Sequence, residues 1–541
     1  MQESLKNINQ IVSEVLETEK PQSVLEISGY GMCLAKLMLE CTKNLDRVDL
    51  TDGLTSEEKL NYKKVFSSDY FNTINKSKKY DVIIVCHLFE NIDTYDAKLI
   101  LTNLLRKTNI CVLVITPMYP YDLSSGTELS TVRAYHPVFF LGLEFSYKKY
   151  DDLQAYVFFP KLNYERLDCD TLTSINSIDN ILNIKKMKIA YIIHSHGMSG
   201  GLKALLQQIK ELNDIGHTVN LYYRSDTSKR AIPPWSHLTD DDVSGQIIIP
   251  CNANYTEYLS DEDIIVLGFV NLIEEFFDSV IPVVLWEQGS EAFFGDHGKL
   301  IGFRSEKRMT MHMFYRSNVY LLAVSQIIET ILEGVYNRGS QLFPNGIDTD
   351  FYHPNDNKNN EVPVILLVGN PYLSFKCFDF AIAVLIDACK FEIPFKVWWA
   401  SQSPLKLDDL PFECELFICP TQEQLAELYR NADVFLSASL YESFSLPPLE
   451  AMASGTAVIA TDSGGINTYA VPGENCLLCE QGDLISMSYA LGTLLKDPTT
   501  RETLAKAGRE TAKQYSFKNI TPILEQCLYR IIAKSEGKCD C

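Results

Sequence analysis

Between Ala432 and Gly465 the sequence reads ADVFLSASLYESFSLPPLEAMASGTAVIATDSGG, and this stretch leaves few folds open. Val434 to Leu436 is a continuous apolar run of strand character, followed by a short polar loop. Pro447 and Pro448 stand where a helix opens, since the first helical N–H groups have no intrahelical partner and proline is tolerated there. Leu449 to Ala453 form its first turn, Ser454-Gly455 stops it, and Val458-Ile459-Ala460 is the next strand, running into Ser463-Gly464-Gly465. The pattern predicts a βαβ unit, whose loops at the carboxyl ends of the strands are where open α/β sheets bind ligands.

Two carboxylates carry the chemistry of this stretch. Glu442 falls in the loop and Glu450 on the helix, so both can line one crevice from different elements. The loop N–H groups and the helix N-terminus between them make an anion-accepting corner. Acids beside such a corner make sense if they accept hydrogen bonds from hydroxyls, in which sugars are rich. Taken alone, the pattern also fits an ordinary αβ unit with solvated acids.

The spacing Glu442-x7-Glu450 within YESFSLPPLEAMASGTAVIATDSGG resembles the donor-site motif of family 4 retaining glycosyltransferases, which have the GT-B fold. The resemblance implies that Glu450 holds the nucleotide ribose and Glu442 faces the donor sugar. It also implies that the backbone of Ser443, Phe444, Ser445 and Leu446 touches the diphosphate. Ser445 stands where that family usually has glycine.

Length and charge narrow the rest. A chain of 541 residues holds three or four domains of ordinary size. Its 46% hydrophobic and 22% charged content is that of a globular protein. No apolar run approaches the roughly 18 residues a membrane span needs, and Met1 opens no signal sequence. The expected location is the cytoplasm, with peripheral attachment at the inner membrane face as an option. A net charge of −22 argues against nucleic acid as a partner. The 15 cysteines are scattered, several within apolar strands, as reduced thiols would be. Cys539-Asp540-Cys541 is half a metal site at most, and no metal is expected.

Residues 1–158 read as a first α/β domain, with strands at 23–27, 47–50, 80–86 and 110–115 and a helix over 96–107. This region resembles a class I S-adenosylmethionine methyltransferase in degenerate form. The resemblance would place a cofactor at Glu26, Gly29, Gly31 and Asp49. The glycine turn Ser28-Gly29-Tyr30-Gly31 fits the family pattern only with a gap, so a docking or assembly domain, including one that pairs two copies of the chain, is the alternative.

A polar linker is expected over 159–186, and a second system begins at Met187. Strand 188–193 leads through His194-Ser195-His196-Gly197-Met198-Ser199-Gly200-Gly201 into a helix over 202–215. Gly200 and Gly201 allow close approach of a ligand and offer N–H donors. The turn resembles the first loop of the acceptor-side GT-B domain, taken here as 187–358. Glu287 and Glu291, after the strand ending at Trp286, and the loop histidines His194 and His196 are candidate acceptor groups, each equally readable as an ordinary loop residue. The AVS…PNGID segment (Ala323 to Asp348) matches the family's exit from that domain. Asp240-Asp241-Asp242 satisfies an Asp-x-Asp metal pattern but follows Pro233-Pro234 in a polar loop, and is read as solvated.

The nucleotide-sugar domain is expected over 359–515, and a crossover helix with the tail over 516–541. Its first strand ends at Gly369-Asn370, with Lys376 six residues on. The family has Gly-Arg and then Lys-Gly there, two cations that clamp a diphosphate; Lys376 fits and Asn370 departs, leaving a point charge in place of a pair. The fold class is therefore α/β: two Rossmann-like GT-B domains behind a methyltransferase-type domain. The expected activity is retaining transfer from a UDP, GDP or dTDP sugar to a glycan, lipid-linked or protein hydroxyl, in bacterial glycan synthesis. Glu442 and Lys376 are the groups at the chemistry. No cofactor is required for transfer. A bifunctional transferase that also uses S-adenosylmethionine, or a non-catalytic glycan-binding relative, are the alternatives.

Overall fold

The computed structural model describes residues 2–28, 34–39, 42, 44–49, 55–66, 79–86, 88–89, 92, 94–117, 121–122, 127–128, 134–150, 153–162, 164–167, 186–259, 261–405 and 410–536. The chain divides into two compact units. Unit 1 takes Met1–Tyr164, Ser290–Met311 and Gln481–Leu484; unit 2 takes Glu165–Gly289, His312–Glu480 and Ile485–Cys541.

Unit 1 is built on seven strands: β1 (Val24–Ser28), β2 (Leu45–Asp49), β3 (Lys64–Phe66), β4 (Tyr80–Cys86), β5 (Thr108–Pro117), β6 (Phe145–Lys149) and β7 (Leu153–Phe158). Their order is β3-β2-β1-β4-β5-β7-β6. The first five are parallel, and β7 runs antiparallel to both β5 and β6. Helix α1 (Gln2–Glu19) lays Ile8, Ile11, Val12 and Val15 on one face of the sheet. An aromatic cluster of Phe140, Phe145, Tyr156 and Phe158 closes the other.

The segment 290–311 belongs to this unit although it lies far along the chain. Leu300 and Ile301 join the core under α1. The Tyr147 N–H donates to the Gly295 carbonyl at 2.7 Å and the Ile301 N–H to Ser146 Oγ at 2.9 Å, so the edge strand β6 is covered. Arg308 forks onto the Glu144 carboxylate at 2.5 and 2.6 Å and lies 4.8 Å from the ring centres of both Phe159 and Phe303.

Unit 2 carries two parallel sheets in one body. The N-lobe sheet contains β8 (Lys188–Ile193), β9 (Thr218–Arg224), β10 (Gly245–Ile249), β11 (Ile264–Leu267), β12 (Val283–Glu287), β13 (Tyr320–Ala323) and β14 (Gln341–Leu342), ordered β10-β9-β8-β11-β12-β13-β14. The C-lobe sheet contains β15 (Val364–Val368), β16 (Lys396–Ser401), β17 (Glu413–Ile418), β18 (Val434–Ser437), β19 (Ala457–Thr461) and β20 (Leu477–Cys479), ordered β17-β16-β15-β18-β19-β20. In both, the order reverses beside the first strand, the switch point at which doubly wound sheets open a crevice.

Helix α2 (Gly200–Asp214) follows β8. Ser199 caps it by accepting from the Leu202 N–H at 3.2 Å, and Leu205, Leu206, Ile209 and Leu212 bury its inner face. Helix α3 (Leu446–Ala453) follows β18 and opens with Pro447 and Pro448 in its first turn. Helix α4 (Phe517–Ser535) returns from the C-lobe and packs Ile520, Leu524, Leu528 and Ile531 into the N-lobe core. Among the described residues no helix is long and apolar enough to cross a membrane.

Candidate functional site

The loop from Ser439 to Ser445 joins β18 to α3, and both motif glutamates are engaged around it. Glu442 is pinned by its backbone: its N–H donates to the Ser463 carbonyl at 2.9 Å and its own carbonyl accepts from Gly465 at 3.0 Å. Only glycine fits at 465, because a Cβ there would sit 2.3 Å from the Ser443 carbonyl carbon and 2.5 Å from the Phe444 nitrogen. The Glu442 Oε1 accepts from Lys376 Nζ at 2.6 Å and from Ser439 Oγ at 2.8 Å. Among the described residues the N–H groups of Ser443, Phe444 and Ser445 have no acceptor within the protein. They are donors left for something else.

Ser445 stands at φ 72°, left-handed, with no capping bond from its hydroxyl. Cys377, right after Lys376, is left-handed too at φ 52°. Phe444 is buried against Tyr469 and Tyr515. Gly369 follows β15 at φ +143°. The Asn370 side chain accepts from the Tyr372 N–H at 3.0 Å, so it caps its own turn and brings no charge.

Glu450, on α3, is 6% exposed. Its Oε1 accepts from Lys203 Nζ at 2.5 Å and from the Tyr352 hydroxyl at 3.1 Å, and Lys203 also reaches that hydroxyl at 2.5 Å. Burial beside Glu450 raises the Tyr352 pKa far above its usual value, so the phenol stays neutral and donates. Lys203 belongs to the N-lobe and Glu450 to the C-lobe, so this pair bridges the crevice.

The lobes meet closely at the same place. A Cβ on Gly200 would lie 3.3 Å from Leu446 Cδ1, and Gly201 faces Gln288. Gly289, at φ +81°, packs its Cα on Ser443; a Cβ there would overlap Ser443 Oγ at 1.7 Å. Glu287 fixes that turn: it is buried at the end of β12, accepts from the Gly289 N–H at 2.7 Å and from the Tyr315 hydroxyl at 2.5 Å, and its pKa is raised by burial.

A cavity of about 180 Å³ adjoins Glu450. Lys203, Trp235, Phe351, Tyr352, Gln422 and Leu446 are among its walls. Gln422 is 6% exposed and its Oε1 has no hydrogen-bond partner among the described residues. Such an acceptor is costly to leave unmade. Lys203, Tyr352 and Gly289 escape a reading of the sequence because Glu450 and Ser443, which they meet, lie far away in the chain; Ser439, three residues before Glu442, and Gln422 stand in no motif that singles them out.

The other candidates fall as follows. His194 stacks on Phe269 at 4.0 Å, and burial lowers its pKa. His196 stacks on Tyr223 at 3.8 Å, and its Nε2 pairs with the Ala231 carbonyl at 2.9 Å. Its carbonyl accepts from Trp235 Nε1 at 2.6 Å, which makes His196 part of the loop's frame. Glu291 is an exposed residue of unit 1, opening the short turn Glu291–Phe294. Asp240 pairs with Arg230 at 2.7 Å, and Asp242 receives the Thr239 N–H at 2.7 Å. Among the described residues no cluster of His, Cys, Asp and Glu could hold a metal.

In unit 1, Glu26 is wholly buried in β1. It accepts from Arg47, from Ser28 Oγ at 2.6 Å and from the Tyr62 hydroxyl at 2.7 Å. Burial raises its pKa and the Arg47 charge opposes the rise. Asp49 ends β2 beside Ser28 in register. Gly29 and Gly31 lie outside the described residues.

Residues 414–511 match the family model described as glycosyl transferases group 1. A D-inositol 3-phosphate glycosyltransferase of Corynebacterium urealyticum is 39% identical over 108 residues, which are 20% of this chain and 25% of that protein. The match thus spans about a quarter of that relative's length. Two solved structures align over their whole length with 64% of the chain: sucrose-phosphate synthase from Thermosynechococcus elongatus, 19% identical with a TM-score of 0.54, and Anabaena HepE in complex with UDP-glucose, 16% identical with a TM-score of 0.52. At such identities the likeness is one of fold, the α/β GT-B fold with parallel sheets.

Proposed function

We propose that the chain is a glycosyltransferase of the family 4 type, moving a sugar from a nucleoside diphosphate sugar to an acceptor hydroxyl with retention. The observation that carries this is the loop Ser443–Ser445: three N–H groups without acceptors among the described residues, set between two carboxylates at the mouth of α3. A diphosphate laid there meets aimed dipoles, two helix N-termini and Lys376. Glu450 takes the ribose hydroxyls, and Glu442 those of the sugar. The sugar C1–O bond breaks with its electron pair going to the phosphate. The acceptor oxygen bonds to C1 on the face the phosphate leaves, and its proton passes to the departing phosphate oxygen. Glu442 is already matched by Lys376 and Ser439, which suits an orienting acceptor better than a nucleophile.

The cavity beside Glu450 suits the nucleoside. Trp235 and Phe351 supply aromatic walls, and the Gln422 oxygen can accept an N–H from a base edge. HepE is described with UDP-glucose, so UDP is the first nucleotide to try. The acceptor is assigned to a glycan or glycoconjugate of a bacterial pathway, made at the cytoplasmic side. For unit 1 a scaffold role is favoured over S-adenosylmethionine chemistry, since the Glu26 carboxylate is already matched inside the sheet.

Calorimetric titration with UDP, GDP, dTDP and S-adenosylmethionine tests both assignments. Micromolar binding of one nucleoside diphosphate and none of the sulfonium cofactor is expected. If no nucleotide binds, or if Glu450→Ala transfers sugar at the full rate, the assignment is wrong.

A further inference from the structure

We propose that Lys203 is the second cation of the diphosphate site, held on Glu450 until a donor arrives and then turned toward the leaving phosphates. This rests on the donor-site assignment above. A departing diphosphate gathers negative charge, and two glutamates already flank its place. Neutral amides and one lysine are a thin counterweight. Position 370, six residues before Lys376, brings an amide that is occupied with its own turn.

The cations that line the two cavities around the loop Ser439–Pro447 are few. Lys376 borders the smaller, and Lys203, Lys210 and His237 border the larger. Lys210 is held by Asp214 at 2.7 Å and Asp242 at 3.1 Å, and His237 by Glu423 at 3.0 Å. Lys203 alone of these pairs with a motif glutamate from the opposite lobe.

Its placement permits the turn. Lys203 lies three residues after Gly200, the first residue of α2, and Gly200 packs against Leu446, the first residue of α3. Side chains on a helix lean toward its N-terminus, which here is the end that Gly200 sets against Leu446, next to the loop Ser443–Ser445. With a rise of about 1.5 Å per residue, that end is about 4.5 Å away along the axis, within the sweep of a flexible four-carbon stem. Ribose hydroxyls that take over Glu450 would compete with the ammonium for that carboxylate. A nucleoside entering the cavity would also need the wall space Lys203 now fills. Both changes release the lysine toward the phosphates.

The test compares a nucleoside diphosphate with its own nucleoside. The wild type is titrated with UDP and uridine, GDP and guanosine, and dTDP and thymidine, and the tighter pair is carried forward. Lys203→Met should weaken the diphosphate by about tenfold or more beyond any change for the nucleoside, the size expected for one charge-assisted contact. Lys203→Arg keeps a cation and should keep the ratio, and it also serves if the Met variant folds poorly. Asn370→Arg placed in the Lys203→Met protein should restore much of the ratio by supplying charge from the C-lobe. Equal losses for diphosphate and nucleoside would show that Lys203 only positions Glu450, and the proposal falls. Unchanged affinity for both also overturns it. If the wild type binds none of the three diphosphates, the donor-site assignment has failed, and this proposal with it.

Discussion

Ser445 stands in left-handed backbone where its hydroxyl makes no capping bond, so it carries strain of roughly 1–2 kcal/mol that glycine would not. Ser445→Gly should therefore stabilise unit 2 by about 1 kcal/mol in denaturant titration; a loss of stability would mean the hydroxyl has a use in the folded protein. Gln422 shows the opposite tension. Its oxygen has no partner among the described residues, and a buried acceptor left unpaired costs about 1–3 kcal/mol. Gln422→Leu should raise the melting temperature while lowering nucleotide affinity about tenfold, and a variant that does only one of these would separate stability from recognition. Both effects are confined to one side chain, and calorimetry with and without nucleotide reads them.

At the scale of elements, the turn Glu287–Gly289 is a wedge between lobes. Gly289→Val would drive a side chain into Ser443, so transfer should fall at least tenfold while the Rossmann sheets keep their circular dichroism. What the sequence made legible was of this local kind. Pro447 and Pro448 marked the start of α3, continuous apolar runs marked β8, β15, β18 and β19, and the Glu442-x7-Glu450 spacing marked the loop between β18 and α3. The hairpin β6–β7 is not among the strands read from the sequence of 1–158, although its run FSYKKYDDLQAYVFF sets two β-prone stretches around the turn signal Asp151-Asp152. Strand β17 was missed because it is a half-exposed edge, with charged residues at Glu413 and Glu415. Contacts such as Lys203 with Glu450 join residues far apart in the chain, and no period or spacing encodes them. The segment 290–311 was illegible for the same reason: its partners are α1 and β6, far back in the sequence.

At the scale of the whole molecule, unit 1 should be the acid-sensitive body. His136 is buried there, and burial together with the Lys149 charge lowers its pKa to about 3. The unfolded chain binds that proton near pH 6.5, so stability is full above that value. It is lost as pH falls from about 6.5 toward 3, at about 1.4 kcal/mol per pH unit. Melting followed from pH 7 to pH 5 should show the slope, and His136→Leu should remove most of it. The buried pair of Arg308 with Glu144 is a second lever in the same unit. Arg308→Met removes the forked contact with Glu144 and the stacking on Phe159 and Phe303, and should cost unit 1 about 3 kcal/mol, seen as a separate, earlier unfolding step.

Unit 1 is woven from three stretches, 1–164, 290–311 and 481–484, and only the first of them is contiguous with the N-terminus. Recombination at the stretch near residue 170 could not hand this domain to another gene intact, nor strip it away cleanly. A daughter chain beginning there would keep Leu300 and Ile301 without the helix that shelters them, an apolar sticking point on a newborn protein. The two units are thus bound to a common inheritance, and change in one must be tolerated by the other before it can spread.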